Sequence, residues 1–226
     1  MPKKDICIFC NKKYGTKLIY NHYKSCILDI ATKYNGILLH ISCNKYFLYV
    51  LFNHNTTLKE VDKFLRKIWC ECCGHLSNFF YKKPTPFENN IIRMIYNKIT
   101  QIPKNKKIID IKNIFEINNN EITYIYDFGD QTELTIELLG IFNGNTKVYK
   151  NNILLRNKFN LYKCEYCNDY ATHLYECELI CNFCINNINI KMKKNKDDNV
   201  ENNWEDIGTF YPIVNSPRFG SCCYGI

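Results

Sequence analysis

Five cysteines fall within the 21 residues from Cys164 to Cys184, in the stretch KCEYCNDYATHLYECELICNFC. Four of them form two Cys-x2-Cys pairs, Cys164/Cys167 and Cys181/Cys184, separated by 13 residues. Each pair can make a knuckle, and two knuckles brought together give the tetrahedral four-sulfur site of a zinc ribbon. No other feature constrains the chain as much, because so dense a set of thiols has only three chemical outlets: disulfides, redox catalysis or metal. A redox Cys-x-x-Cys belongs in a thioredoxin-like setting, which the surrounding residues lack. His173 and Cys177 lie between the pairs as spare donors, either of which could replace one of the four. Four thiolates leave no open coordination position, so this site is expected to hold the fold rather than to catalyse.

A second, unlike module opens the chain. Cys7, Cys10, His22 and Cys26 follow the spacing Cys-x2-Cys-x11-His-x3-Cys. A short helix over TKLIYNHYKSC would place His22 and Cys26 on one face, as tetrahedral ligation requires. The pattern is close to a ββα-type zinc finger whose last ligand is Cys; the alternative is two buried thiols and a solvated His. Two zinc ions are therefore expected, one in each module.

The setting of these cysteines bears on that choice. The N-terminus, MPKKDICIFC, has lysines and cysteines where a secretory signal would have an apolar stretch. The longest apolar run, YFLYVLF, is far too short to span a bilayer, so no membrane partner is expected. The chain reads as soluble and intracellular, with cytoplasm, nucleus and viral factory not distinguished. In a reducing compartment its 14 cysteines favour metal ligation and buried thiols over disulfides. A hydrophobic content of 46% with 15% aromatics fits a folded chain, not a disordered one. Abundant Ile, Asn, Lys and Tyr reflect AT-rich coding, as in a large DNA virus or an AT-rich protist, and the Asn runs carry no function of their own.

The formal charge is +8, which filled zinc sites of four thiolates and of three thiolates with a neutral His would lower to +5. Residues 1–34 hold seven lysines against Asp5 and Asp29. Lys12, Lys13, Lys17 and Lys24 surround the finger helix with Tyr14, Tyr20 and Tyr23 among them, a pattern of cations and rings suited to single-stranded nucleic acid.

Four segments follow from the pattern: a zinc finger with three Cys and one His over 1–32, an α+β domain over 33–158, a zinc-ribbon-like cluster over 159–190, and a linker with a docked tail over 191–226. In the second segment, residues 37–53 read as one or two strands. Thr57 and Glu60 form a capping box ahead of an amphipathic helix built on Leu58, Val61, Leu65 and Ile68. PFENNIIRMIYNKI reads as a second helix, with Ile91, Ile95 and Ile99 on one face. EITYIYDFGDQTELTIEL reads as a hairpin turning at DFGDQ, where Gly129 supplies positive φ and the aspartates bond local amides. A shorter apolar run follows in KVYKNNILLRN. The fold class is α+β: a central, mostly antiparallel sheet with packed helices, flanked by the two cysteine modules.

TLKEVDKFLRKIWCECCGHLSNF and YIYDFGDQTELTI, taken with the N-terminal finger, the C-terminal cluster and the ending VNSPRFGSCCYG, resemble the plasmid pRiA ORF-three-like domain family. They are most similar to a cysteine-rich subgroup with the same order of modules, from about residue 5 to the C-terminus. Many relatives carry His where this chain has Glu133, and the subgroup tends to hold a further Cys near Tyr175. The resemblance implies a fold and an order of modules; it supplies no reaction.

Three constellations stay open at this level. Cys72, Cys73 and His75 in CECCGHLS offer a Cys/His pair or a metal corner, against cysteines that fill space and a His that bonds a loop carbonyl. Asp127, Asp130 and Glu133 offer an acidic metal site, against a turn held by its own aspartates. Cys222 and Cys223 offer either ligands or buried thiols. The function expected is a zinc-binding module protein that binds nucleic acid, RNA or DNA, through its N-terminal finger, with no evident catalytic activity. The alternative is a zinc-stabilised adaptor for a protein partner, and a Cys/His-dependent enzyme ranks below both.

Overall fold

Two short strands, β1 (Lys4–Ile6) and β2 (Lys13–Gly15), pair antiparallel and lead into helix α1 (Leu18–Ala31). There follow β3 (Tyr34–Cys43), β4 (Tyr46–Phe52), α2 (Leu58–Leu65), β5 (Ser77–Phe80) and β6 (Gln101–Ile102). Next come β7 (Glu121–Tyr126), β8 (Thr132–Asn143), β9 (Thr146–Lys147) and β10 (Asn152–Arg156). The last strands are β11 (His173–Tyr175), β12 (Glu178–Ile180) and β13 (Tyr211–Pro212). The computed structural model describes residues 4–15, 18–70, 73–81, 98–148, 151–158, 162–175, 178–187, 211–219 and 221. The second helix read over residues 86–99 and the linker read over 191–203 lie wholly or largely outside them.

The described chain mixes helix with a mostly antiparallel sheet of eight strands, ordered β10-β4-β3-β8-β7-β5-β6, with β9 parallel to the start of β3. It divides into two compact units. One comprises Met1–Phe64, Leu76–Tyr126 and Glu133–Asn157; the other comprises Leu65–His75, Asp127–Thr132 and Lys158–Ile226. These units group residues differently from the segments read along the sequence. The first cysteine module belongs with the sheet, and two short stretches of the middle region belong with the C-terminal cysteines.

In the first unit, β4 is apolar at almost every position because both faces of the sheet are covered. On one face Ile19, Tyr23, Ile27 and Ala31, one ridge of α1 at four-residue spacing, share a core with Leu38, Tyr49, Leu51 and Val148. On the other, Phe52 meets Phe64 of α2 edge to face at 5.5 Å. That helix starts as its sequence requires: the Thr57 amide donates to Glu60 Oε2 at 2.7 Å, and the Glu60 amide donates to Thr57 Oγ1 at 3.3 Å. After Leu65 it continues as a wider π-helical turn, Arg66–Cys70.

The hairpin at DFGDQ needs one correction. Positive φ falls on Asp127 (63°), not on Gly129. The reason is local: Asp127 Oδ1 accepts from the amides of Gly129 and Asp130 at 3.1 and 3.2 Å, and this Asx-type bonding stabilises a left-handed aspartate. In β8, Leu134 and Ile136 are buried and alternate with half-buried Glu133 and Thr135. The alternation stops near Leu138 because a bulge opposite Leu38/Leu39 inserts Leu139 and reverses the phase.

One charged group is buried between α2 and the sheet. Asp62 accepts from Ser77 Oγ at 2.6 Å and from Tyr124 OH at 2.8 Å, with Lys104 Nζ at 3.1 Å. Burial alone would push this carboxyl up; the Ser77 and Tyr124 donations and the Lys104 ammonium outweigh it and hold it below its ordinary value. Its contribution to stability is therefore present above the unfolded carboxyl pKa and is lost as pH falls through the lower folded one. Tyr124→Phe is expected to cost about 1.5–3 kcal/mol in urea unfolding at neutral pH. The same variant should move the acid-unfolding midpoint to higher pH, and an unchanged midpoint would show that Tyr124 does not hold the carboxylate.

Candidate metal centres

The first four-ligand cluster grows from a turn and a helix. Between β1 and β2 the chain folds back so that the Cys7 amide donates to the Lys12 carbonyl and the Asn11 amide to the Cys7 carbonyl, both at 2.9 Å. Asn11 makes this possible with φ of 59°, a conformation Asn tolerates better than most side chains. Cys7 and Cys10 thus stand on one knuckle, while α1 carries His22 and Cys26 one turn apart. Cys7 Sγ lies 3.9 Å from Cys26 Sγ, and His22 Nε2 lies 3.1 Å from Cys10 Sγ and 3.2 Å from Cys26 Sγ. Tyr14 stacks on the His22 ring at 3.8 Å and so fixes its plane.

The second cluster joins two knuckles. Cys164 and Cys167 lie on a turn whose Cys164 amide donates to the Asp169 carbonyl at 2.9 Å. Cys181 ends the β11–β12 hairpin, and Cys184 sits in a helical segment over 182–187. The sulfurs approach to 3.8 Å for Cys164–Cys184 and 3.6 Å for Cys167–Cys181. Backbone amides point at the sulfurs, from Cys181 to Cys164 Sγ at 3.4 Å and from Cys184 to Cys181 Sγ at 3.5 Å.

In each cluster the four ligand atoms lie within 4.8 Å of one another, and each can hold a metal ion. A disulfide needs sulfurs at about 2.05 Å, so these contacts are not disulfides. Four sulfurs tetrahedrally placed about 2.3 Å from one ion would sit about 3.8 Å apart, close to what is seen. The charges point the same way. Burial pushes Cys184 up to about 12, with the neighbouring thiols adding to it. Burial also acts against ionising Cys164, but amides of Tyr166, Cys181 and Cys167 bring it down to about 7. In the first cluster Cys26 is likewise pushed up to about 12 by burial and its neighbours, whereas amides of Cys10 and Phe9 overcome burial and lower Cys7. Thiols this close cannot all ionise unless a cation takes the place of the protons.

The other sequence candidates are distributed as follows. Lys12 and Lys13 are exposed around the β1–β2 turn, and Lys17 lies outside the described residues. Lys24 Nζ pairs with Glu137 Oε1 at 2.9 Å. Tyr23 is buried and Tyr14 packs on His22, so both rings serve the packing around the first cluster. Among the spare donors, His173 bonds Thr172 Oγ1 through Nδ1 at 2.9 Å and is not in the cluster. Cys72, Cys177, Cys222 and Cys223 lie outside the described residues, and Cys73 is exposed.

One convergence is invisible along the chain. His75 from CGHLS, Asp127 from YDFGD and Arg218 from NSPR meet within the second unit. Arg218 is fully buried and donates through Nη2 to Asp127 Oδ2 at 3.0 Å and through Nη1 to Thr132 Oγ1 at 2.9 Å and the Asp130 carbonyl at 3.1 Å. His75 Nε2 lies 3.4 Å from the same Asp127 oxygen. Ser216 Oγ donates to the Trp69 carbonyl at 2.5 Å and accepts from the Arg218 amide at 3.0 Å. Burial opposes ionisation of Asp127, but amides of Asp130 and Gly129 and the Arg218 guanidinium hold its carboxyl below the usual range. The acidic turn is therefore an anchor for a buried arginine. The Ser-Pro-Arg segment was the missed signal, since an arginine among tail aromatics does not announce its partner.

No family model matches the chain, and no curated protein matches it. Among solved structures, the chain is similar to a protein of unknown function, MM3350, from Methanosarcina mazei Go1. The TM-score is 0.38 at 16% identity, covering 78% of this chain and 94% of that one.

Titration with Zn2+ should saturate at two equivalents, one for each cluster. Cys164→Ser should leave one equivalent bound, and affinity at both sites should fall with pH as protons compete for the thiolates. Elemental analysis after gel filtration checks this; retention of both equivalents in Cys164→Ser would show that the second cluster is not the site. Arg218→Met, which strands a buried carboxylate, is expected to cost about 3–5 kcal/mol in urea unfolding of the metal-loaded protein.

Proposed function

We propose that both clusters are structural zinc sites, the first in a ββα-type finger and the second ribbon-like, and that the protein binds nucleic acid through its N-terminal part. The ligand geometry carries the zinc assignment: sulfur and imidazole donors at tetrahedral separations select zinc over harder cations, and no position is left open for a substrate. The two filled sites are saturated centres in this reading, and the protein has no reaction of its own. Membership in the plasmid pRiA ORF-three-like family belongs to the same proposal.

The nucleic-acid part is supported by Lys12 and Lys13, which stand exposed around the metal knuckle where they can reach phosphates. Lys24 contributes less in this reading than the spacing suggested, because Glu137 already neutralises it. A second reading, an adaptor for a protein partner, is favoured by one observation: Ile6, Ile8 and Leu18 of the same module are 53%, 62% and 63% exposed.

Fluorescence anisotropy of the zinc-loaded protein with single-stranded RNA and duplex DNA at two salt concentrations separates the two. Nucleic-acid binding predicts affinity that falls steeply with salt, and a Lys12→Gln/Lys13→Gln variant with a slope shallower by roughly two phosphate contacts. Absence of salt-dependent binding to either probe, with zinc retained, would sink the nucleic-acid reading and leave the adaptor.

A further inference from the structure

Beside α1, on the sheet face that this helix covers, lies a cavity of about 360 Å³ that neither metal cluster uses. Its walls come from cross-strand pairs. His40 on β3 is in register with Tyr49 on β4 and with Glu137 on β8, and Ser42 is in register with Phe47. Consequently the His40 ring stacks on Tyr49 at 4.6 Å and 27°, and Phe47 stands edge-on to Tyr49 at 5.9 Å. Five rings, those of Tyr23, His40, Tyr46, Phe47 and Tyr49, thus contribute to the wall.

Several of the polar groups can both donate and accept. Asn21 from α1, Ser42 from β3 and Asn44 from the β3–β4 turn bring amides and a hydroxyl, each able to donate and accept. Among the described residues of the lining Lys24 is charged, and its charge is already met by Glu137. Glu137 acts on Lys24 and His40, accepting from Lys24 Nζ at 2.9 Å and lying 3.1 Å from His40 Nδ1. A carboxylate accepts, so Nδ1 carries the proton. Burial holds the His40 pKa below its ordinary value despite Glu137, so the ring is neutral at pH 7 and Nε2 keeps its lone pair.

These features describe the ligand. The volume lies near the low end of the about 300–1,000 Å³ of small-molecule sites, enough for one ring-bearing group and too little for a folded chain segment. Aromatic walls select a flat ring, and paired amide and hydroxyl groups select a ring with hydrogen-bonding edges. Exposed Lys45 offers a cation to an anion attached to that ring, with Nζ 5.5 Å from the centre of the Tyr46 ring that lines the cavity. We propose that this cavity receives one nucleotide of a single strand, its base lying against the aromatic wall and its phosphate near Lys45. The inference rests on the nucleic-acid reading above and assigns base contact to the sheet rather than to the finger.

The test uses zinc-loaded full-length protein, a labelled single-stranded RNA decamer, a duplex RNA of equal length, and free UMP and AMP as competitors. Two variants probe the cavity: Ser42→Trp fills it, and Asn44→Gly removes an amide while tolerating the left-handed φ of 51° at that position. The expected result is preference for the single strand, weakened about tenfold by Ser42→Trp and less by Asn44→Gly, with the salt slope unchanged because phosphate contacts persist. Zinc content and circular dichroism show whether Ser42→Trp has folded, and Asn44→Gly stands as the readout if it has not. Salt-dependent single-strand binding that both folded variants retain in full would overturn the cavity assignment while leaving the nucleic-acid reading in place. UMP or AMP binding as tightly as the decamer would overturn the strand in favour of a free nucleotide. No binding of wild-type protein to any RNA probe would overturn the assignment together with the reading on which it rests.

Discussion

Seven residues of β3, Ile37 to Cys43, pair with β4, and this buried ribbon is what the first unit is built around. Covering both of its faces removes water from backbone and side chains together, so its hydrogen bonds form in a dry setting and its apolar side chains are used twice over. One face seats α1, and through α1 it fixes where His22 and Cys26 stand. The first metal cluster therefore sits on a helix whose neighbouring ridge is locked into the sheet. A ligand set seated this way gains from the core a rigidity that a free-standing metal module must draw from its ion alone.

The two clusters solve one electrostatic problem in different settings. In each, amides aimed at sulfur lower one thiol, while burial and neighbouring sulfurs raise another. Such a set is frustrated as bare thiols and satisfied by a dication, which is why ligand clustering of this kind signals metal more strongly than it signals redox chemistry. The aspartate turn shows the same rule with another cation. Asp127 is buried because Arg218 neutralises it, and the arginine can be fully buried because a carboxylate, a hydroxyl and a carbonyl receive its donors. Residues 211–219 are held in the second unit by that ionic anchor and by β13, which pairs with β11.

The same logic reorders the candidate residues of the N-terminal module. Lysines near a metal knuckle look equivalent along the chain, but Lys24 stands across from Glu137 and is half-buried, whereas Lys12 and Lys13 face water. Tyr14 and Tyr23, which alternate with them, are drawn into packing, since a ring stacked on the His22 imidazole or in a helix core stabilises more there than it does in solvent. Aromatic surface with polar neighbours is found instead in the β3–β4 ribbon, where register sets His40 on Tyr49.

What the sequence determined by itself is what short-range geometry can enforce. Ligand spacing of two and three residues dictates a knuckle and a helical turn, so both four-ligand sets were legible, as were the Thr57/Glu60 cap and the strands around Ile37 and Leu134. Tertiary structure alone decided the pairings that cross long stretches of chain: Lys24 with Glu137, Asp62 with Tyr124, and Asp127 with Arg218. It also moved the positive φ from Gly129 to Asp127. The reason is physical. Periodicity and spacing encode which way a side chain points from its own element, whereas the partner of a buried charge is chosen by the register and packing that bring distant elements together, and those are settled only when the core closes.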